Sequence, residues 1–117
     1  MSEHHKINYV EIPAKDLHVT KQFFTRVFDW QFTDYGPQYC SIDNASLDGG
    51  FYLSEQVATT ARGSVLVVLY SDDLEQTMTA IVANGGLISR AIFLFPGGSR
   101  FHFNDPSGNE FAVWKKD

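Results

Sequence analysis

Residues 6–28 read KINYVEIPAKDLHVTKQFFTRVF, and a change of hydrophobic period inside this stretch decides the fold. Lys6–Pro13 alternates, with Ile7, Tyr9 and Glu11 on one face and Asn8, Val10 and Ile12 on the other. A period of two residues is a strand pattern, and Pro13, which cannot donate to a ladder, closes it. Asp16 then stands where a helix N-cap belongs. From Leu17 to Phe28 the apolar residues Leu17, Phe23, Phe24, Val27 and Phe28 fall near helical spacing. Strand followed at once by amphipathic helix is the first half of a βα unit.

Outward from this stretch the pattern stays extended. Trp30–Thr33 and Tyr39–Ile42 read as strands separated by a Gly36-Pro37 turn, and Asp43–Ser46 as a loop. Gly49-Gly50 introduces a short strand, Phe51–Leu53. Ser54–Gly63 is small and polar and reads as a linker.

The plan then repeats. Ser64–Tyr70 (SVLVVLY) is a dense apolar run suited to a strand buried on both faces. Asp73 supplies an N-cap, Leu74–Asn84 carries Leu74, Met78, Ile81 and Val82 on one side, and Gly85-Gly86 forms a left-handed C-cap. Leu87–Leu94 and Arg100–Asn104 are extended about a Phe95–Ser99 turn. Asp105-Pro106-Ser107-Gly108 has Pro and Gly where a β-turn wants them, and Glu110–Lys115 is the last strand. The order strand, helix, three strands thus occurs twice, the Asp-Leu helix starts lying about 57 residues apart. The chain reads as α+β, with module one at about 6–54, a linker at about 55–63 and module two at about 64–116.

Composition narrows the function classes. A chain of 117 residues suits one domain, and ten Phe, five Tyr and two Trp supply a core without staples. A net charge of −5 with scattered lysines argues against a nucleic-acid footprint. No apolar run approaches a membrane span and no signal peptide is visible, so the expectation is a cytoplasmic protein. Cys40 is the single cysteine, which excludes an intrachain disulfide and a thiolate metal cluster; it reads as a half-buried strand residue.

Several strings in this order resemble the vicinal oxygen chelate (glyoxalase/bleomycin-resistance/dioxygenase) superfamily. They are Tyr9–Pro13 leading to Asp16-Leu17, Phe23-Phe24 before Val27–Trp30, then Asp73-Leu74, Ala83–Gly86 and Asn104–Phe111. Within the superfamily the chain looks like the short proteins described as similar to lactoylglutathione lyase. The resemblance implies two βαβββ modules forming a curled, open eight-stranded mixed sheet, with a divalent metal held on the inner side of four strands. It places the ligands at Tyr9, at Leu66 or Val67, at Ala112 and somewhere between Gly49 and Glu55. A hard or borderline cation wants imidazole and carboxylate there, so the metal site reads as degenerate and no cofactor is expected. A register error of two residues would bring in Glu11 or Glu110, and with them a divalent metal.

Glu11 and Glu110 share faces with Tyr9 and Ala112, which makes them the candidate acid–base pair; otherwise they are solvated or paired with Arg26, Arg62, Arg90 or Arg100. Tyr9, Glu11, Tyr52, His102, Phe103, Glu110, Ala112 and Trp114 are the candidate lining of a ligand pocket. His4 and His5 precede the first strand, and His18 reads as a solvated helix residue. His102 is the one histidine on a strand and could face either way. Three functions follow as expectations. The first is a metal-free small-molecule binder, the second a metal-dependent glyoxalase-like lyase, isomerase or dioxygenase, and the third a subunit serving dimerisation or regulation. A homodimer is expected because open sheets leave strand edges to cover.

Overall fold

Asp16 turns strand into helix through its carboxylate, which accepts the Val19 N–H at 3.0 Å. Asp73 does the same for Gln76 at 3.1 Å. Each cap satisfies an N–H that the first helical turn leaves orphaned. The computed structural model describes residues 2–117, which divide into two compact units meeting between Gln56 and Val57.

The first unit runs β1 (Tyr9–Ala14), α1 (Leu17–Phe28), β2 (Phe32–Asp34), β3 (Tyr39–Ile42) and β4 (Asp48–Leu53). Its sheet order is β1-β4-β3-β2, with β1 and β4 parallel and the other pairs antiparallel. The second unit runs β5 (Val67–Tyr70), α2 (Leu74–Ala83), β6 (Leu87–Phe95), β7 (Gly98–Asn104) and β8 (Glu110–Lys116). Its order is β5-β8-β7-β6, again with one parallel edge pair. The protein is therefore α+β, its eight strands forming two four-stranded mixed sheets, neither of them closed.

Each sheet buries one face under its helix. In the first unit α1 packs on β4, and Ile12, Ala14, Phe23, Phe24, Cys40 and Phe51 are buried. Phe24 stacks on Trp30 with ring centres 4.7 Å apart. In the second, α2 packs on β6, β7 and β8, and Ile81, Phe101, Phe103, Phe111 and Val113 are fully or almost fully buried. Each large apolar side chain so placed contributes about 1.5–3 kcal/mol. The opposite, helix-free faces carry the polar chemistry.

Four sequence expectations need correction. Gly49-Gly50 lies inside β4, not before it. A Cβ at Gly49 would press on the Val10 carbonyl, and one at Gly50 would occupy the place of the Tyr39 hydroxyl. Cys40 is fully buried, not half-buried, and burial pushes its thiol up. The SVLVVLY strand is not buried on both faces: it begins at Val67, is an edge strand, and leaves Val68 and Tyr70 45% and 42% exposed. The segment read as linker contains a 3-10 turn, Thr60–Arg62, and is bonded to the second unit. Ala58 donates to Asn109 Oδ1 at 2.9 Å, and Glu110 N–H to the Ala58 carbonyl at 2.9 Å.

The turn before β8 is held by Asp105, which is only 3% exposed. Its Oδ1 accepts from Ser107 N–H at 3.0 Å and Asn109 N–H at 2.9 Å, and Gly108, at φ +95°, donates to its carbonyl. Burial outweighs these bonds and raises the carboxyl from 3.8 to about 6.

Candidate functional site

On the helix-free face of the first unit, alternation along β1, β3 and β4 brings Tyr9, Glu11, Tyr39, Ser41, Gly50 and Tyr52 together. Tyr39 donates to Glu11 Oε2 at 3.1 Å. A phenol has one proton, so Tyr39 must accept from Tyr9, whose hydroxyl lies 2.6 Å away. The relay Tyr9→Tyr39→Glu11 exists because Gly50 leaves room for the Tyr39 ring over the sheet. Burial, then the bonds to Tyr9 and Glu11, holds the Tyr39 phenol well above the usual value of 10. Beside it, Ser41 and Thr33 donate to Asp43, lowering that carboxyl.

The second unit's helix-free face is built in cross-strand rows. Phe93, Arg100, Trp114 and Tyr70 are successive neighbours across β6, β7, β8 and β5; the next row is Arg90, His102, Ala112 and Val68. Simple alternation would put Arg90 and Phe93, three residues apart, on opposite faces. Register shifts on either side of Arg90 bring both to this one, and the Arg90 guanidinium lies 3.7 Å over the Phe93 ring.

His102 is 7% exposed and held at both nitrogens. Arg100 Nη2 stands 2.9 Å from Nε2, and Glu110 Oε2 stands 2.7 Å from Nδ1. Arginine only donates, so Nε2 is the bare acceptor and the ring proton sits on Nδ1, donated to Glu110. The other carboxylate oxygen accepts from Thr60 N–H at 2.9 Å and Thr60 hydroxyl at 2.8 Å. The bonds from His102 and Thr60 hold the Glu110 carboxyl below its usual value of 4.5. Arg100 Nε is buried without a partner, an omission that costs on the order of 1–3 kcal/mol.

The predicted pocket residues divide accordingly. Tyr9, Glu11 and Tyr52 lie on the helix-free face of the first unit, and His102, Glu110, Ala112 and Trp114 on that of the second. Phe103 is a correction. It is fully buried on the helix side, stacked on Phe111 at 5.3 Å, because a strand cannot turn His102 and its neighbour the same way. Glu11 and Glu110 bond to Tyr39 and to His102 and Thr60, not to an arginine. His18 bonds to Gln22 at 3.1 Å and lines a shallow depression with Lys21, Arg26 and Phe32. The sequence reading missed Tyr39, Thr60 and the paired placement of Arg90 with Phe93; only the glycine at position 50 hinted at the first.

The family's metal positions can be compared with these side chains. Tyr9 is a phenol engaged with Tyr39, Val67 lies on the buried face opposite Phe111, and Ala112 has no donor atom. On β4 the helix-free face offers Asp48, Gly50 and Tyr52, of which only Asp48, the cross-strand neighbour of Tyr9, is a carboxylate. Among the described residues no three His, Cys, Asp or Glu side chains gather as a metal site. His102 and Glu110 are spent on each other, on Arg100 and on Thr60. These residues do not fit a divalent ion.

Sequence and fold comparisons agree on the class. Residues 6–113 match the model of the glyoxalase/bleomycin resistance protein/dioxygenase superfamily, and the chain belongs to it. A glyoxylase-like domain-containing protein of Didymella fabae is 28% identical over 121 residues, covering 94% of this chain and 93% of that one. A glyoxalase/bleomycin resistance protein/dioxygenase family enzyme from Burkholderia phytofirmans shares the fold at a TM-score of 0.79 and 18% identity, over 96% of this chain and 99% of that one. A fosfomycin resistance protein from Mesorhizobium loti does so at 0.77 and 14%, over 98% and 95%. No helix among the described residues is long and apolar enough to cross a membrane.

Proposed function

We propose that this protein binds a small organic molecule without a metal ion, as a cytoplasmic homodimer. The observation that carries this reading is the set of side chains at the family's ligand positions. A phenol at Tyr9, an aliphatic residue at Leu66 or Val67 and a methyl at Ala112 stand where imidazole and carboxylate would be needed to hold a divalent ion. On the second unit, Tyr70, Phe93 and Trp114 suit a flat or apolar ligand body. The hydroxyl, carboxylate and guanidinium groups beside them would orient it. Dimerisation draws support from the exposed apolar side chains Ile7, Val65 and Leu94 on or beside open edge strands.

The enzymatic alternative, a glyoxalase-like lyase, isomerase or dioxygenase, would need ligands that these positions lack. Fold kinship alone chooses no chemistry. The test is a thermal-shift screen of aromatic compounds, repeated after exhaustive chelation. The expected result is a ligand-dependent rise in melting temperature that chelation leaves unchanged. A rise that disappears on chelation and returns with added metal would overturn the reading.

A further inference from the structure

The arginines of the second unit's helix-free face are unspent. The chain carries a net charge of −5, yet among the described residues neither Arg90 nor Arg100 has a carboxylate within salt-bridge distance. Glu110, the acid nearest in register, is turned to His102 and Thr60 instead. Both guanidinium groups bear on one ring, Arg90 at 3.7 Å and Arg100 at 5.6 Å from the Phe93 centre. The register shifts that flank Arg90 are what gather them, and bulges of this kind re-aim side chains at binding sites.

From this juxtaposition we propose that Arg90 and Arg100 form a carboxylate-binding site, and that the molecule taken by this face is a flat, conjugated carboxylate. The inference rests on the small-molecule reading above and names the ligand class. Arg100 is set up to receive an anion, since His102 takes one of its N–H groups at 2.9 Å while its buried Nε–H has no acceptor. The remaining N–H groups of the two guanidinium forks match a planar carboxylate in shape and charge. Arg100 lies next to Trp114 across the sheet, and Trp114 packs edge-on against Tyr70 at 5.1 Å. A ligand whose carboxylate meets the arginines would therefore lay its ring along this aromatic row.

The relay behind Arg100 completes the site. Glu110 fixes the proton of His102 on Nδ1, so Nε2 stays an acceptor and keeps the guanidinium turned on the face. Arg100 is thus a binding residue and His102 a positioning residue.

The experiment compares 2-naphthoate with 2-naphthamide, which share a body and differ in charge, by calorimetric titration of wild type, Arg90→Gln and Arg100→Gln. Arginine Nε–H resonances are followed in parallel, and circular dichroism checks that each variant folds. The expected result is that naphthoate binds wild type at least about tenfold more tightly than the amide, with an advantage that shrinks as salt rises. Either arginine variant should remove most of that advantage, and naphthoate should shift the Arg100 Nε–H signal. Equal binding of the two compounds, unaffected by the variants, would overturn the carboxylate site and leave the small-molecule reading standing. Binding of neither compound, by wild type or variants, would overturn both.

Discussion

The two units are built on one plan and finished with different chemistry. Each has a parallel edge pair, an antiparallel remainder and an Asp-capped helix over one face of its sheet. On the free face of the first, a carboxylate ends a relay of phenols; on that of the second, a carboxylate anchors a histidine and, through it, an arginine. Glu11 is exposed and accepts one hydrogen bond, from Tyr39. Glu110 has a side chain only 15% exposed and accepts three, from His102 and Thr60. The two acids that sequence reading treats as a pair are therefore not equivalent. One is an available group, and the other is a structural part of its unit.

The largest expected effect separates them directly. Glu110→Ala strands the Thr60 donors and the His102 proton and should cost about 2–3 kcal/mol in urea unfolding, whereas Glu11→Ala should cost about 0.5 kcal/mol or less. Equal losses would erase the distinction. Next in size is a pH effect with opposite signs at the two acids of the second unit. Glu110, depressed in the folded state, contributes stability above its usual value of 4.5 that is lost as pH falls through its folded value. Asp105, raised from 3.8 to about 6, does the reverse: its contribution is complete below 3.8 and lost as pH rises through 6.

Asp105→Asn keeps an acceptor for the Ser107 and Asn109 backbone N–H groups but turns an amide toward the Asn109 side-chain amide, which donates to the carboxylate at 3.3 Å. It should therefore flatten the stability profile between those two values, at a cost of about 1 kcal/mol below the lower of them. Urea midpoints measured across pH check both signs.

Smaller effects probe the first unit. Gly50→Ala must displace the Tyr39 ring and should cost about 1–2 kcal/mol. It should also let that phenol ionise at lower pH, seen in the ultraviolet titration of tyrosinate. Glu11→Gln should change stability by less than about 0.5 kcal/mol while making the same titration shift in a milder form. An unchanged phenol titration in both variants would show that the three side chains do not act as a relay.

Element order was legible in the sequence because two periods, two and 3.6 residues, alternate cleanly and both helices announce themselves with Asp-Leu. Burial along the edges was not. SVLVVLY reads as a doubly buried strand, but an edge position leaves Val68 and Tyr70 open, and local pattern carries no information about which strand is outermost. The placement of Arg90 escaped for a related reason, since a bulge breaks the parity on which face assignment rests. Placing Phe103 in the pocket beside His102 runs against that same parity, and its burial follows from it. Asp105 is legible as the first residue of its turn but its burial is not, and Thr60 is hidden because its N–H and hydroxyl serve a carboxylate 50 residues away.

The central claim, binding without metal, is tested most directly by the metal content of the purified, tag-free protein after exposure to nickel, zinc, cobalt, manganese and iron(II). Far less than one equivalent of any of them is expected, with no change in Glu11→Gln or Glu110→Gln. One equivalent of a single metal, held at micromolar affinity or better and lost in either variant, would contradict the claim and make metal-dependent catalysis the leading explanation.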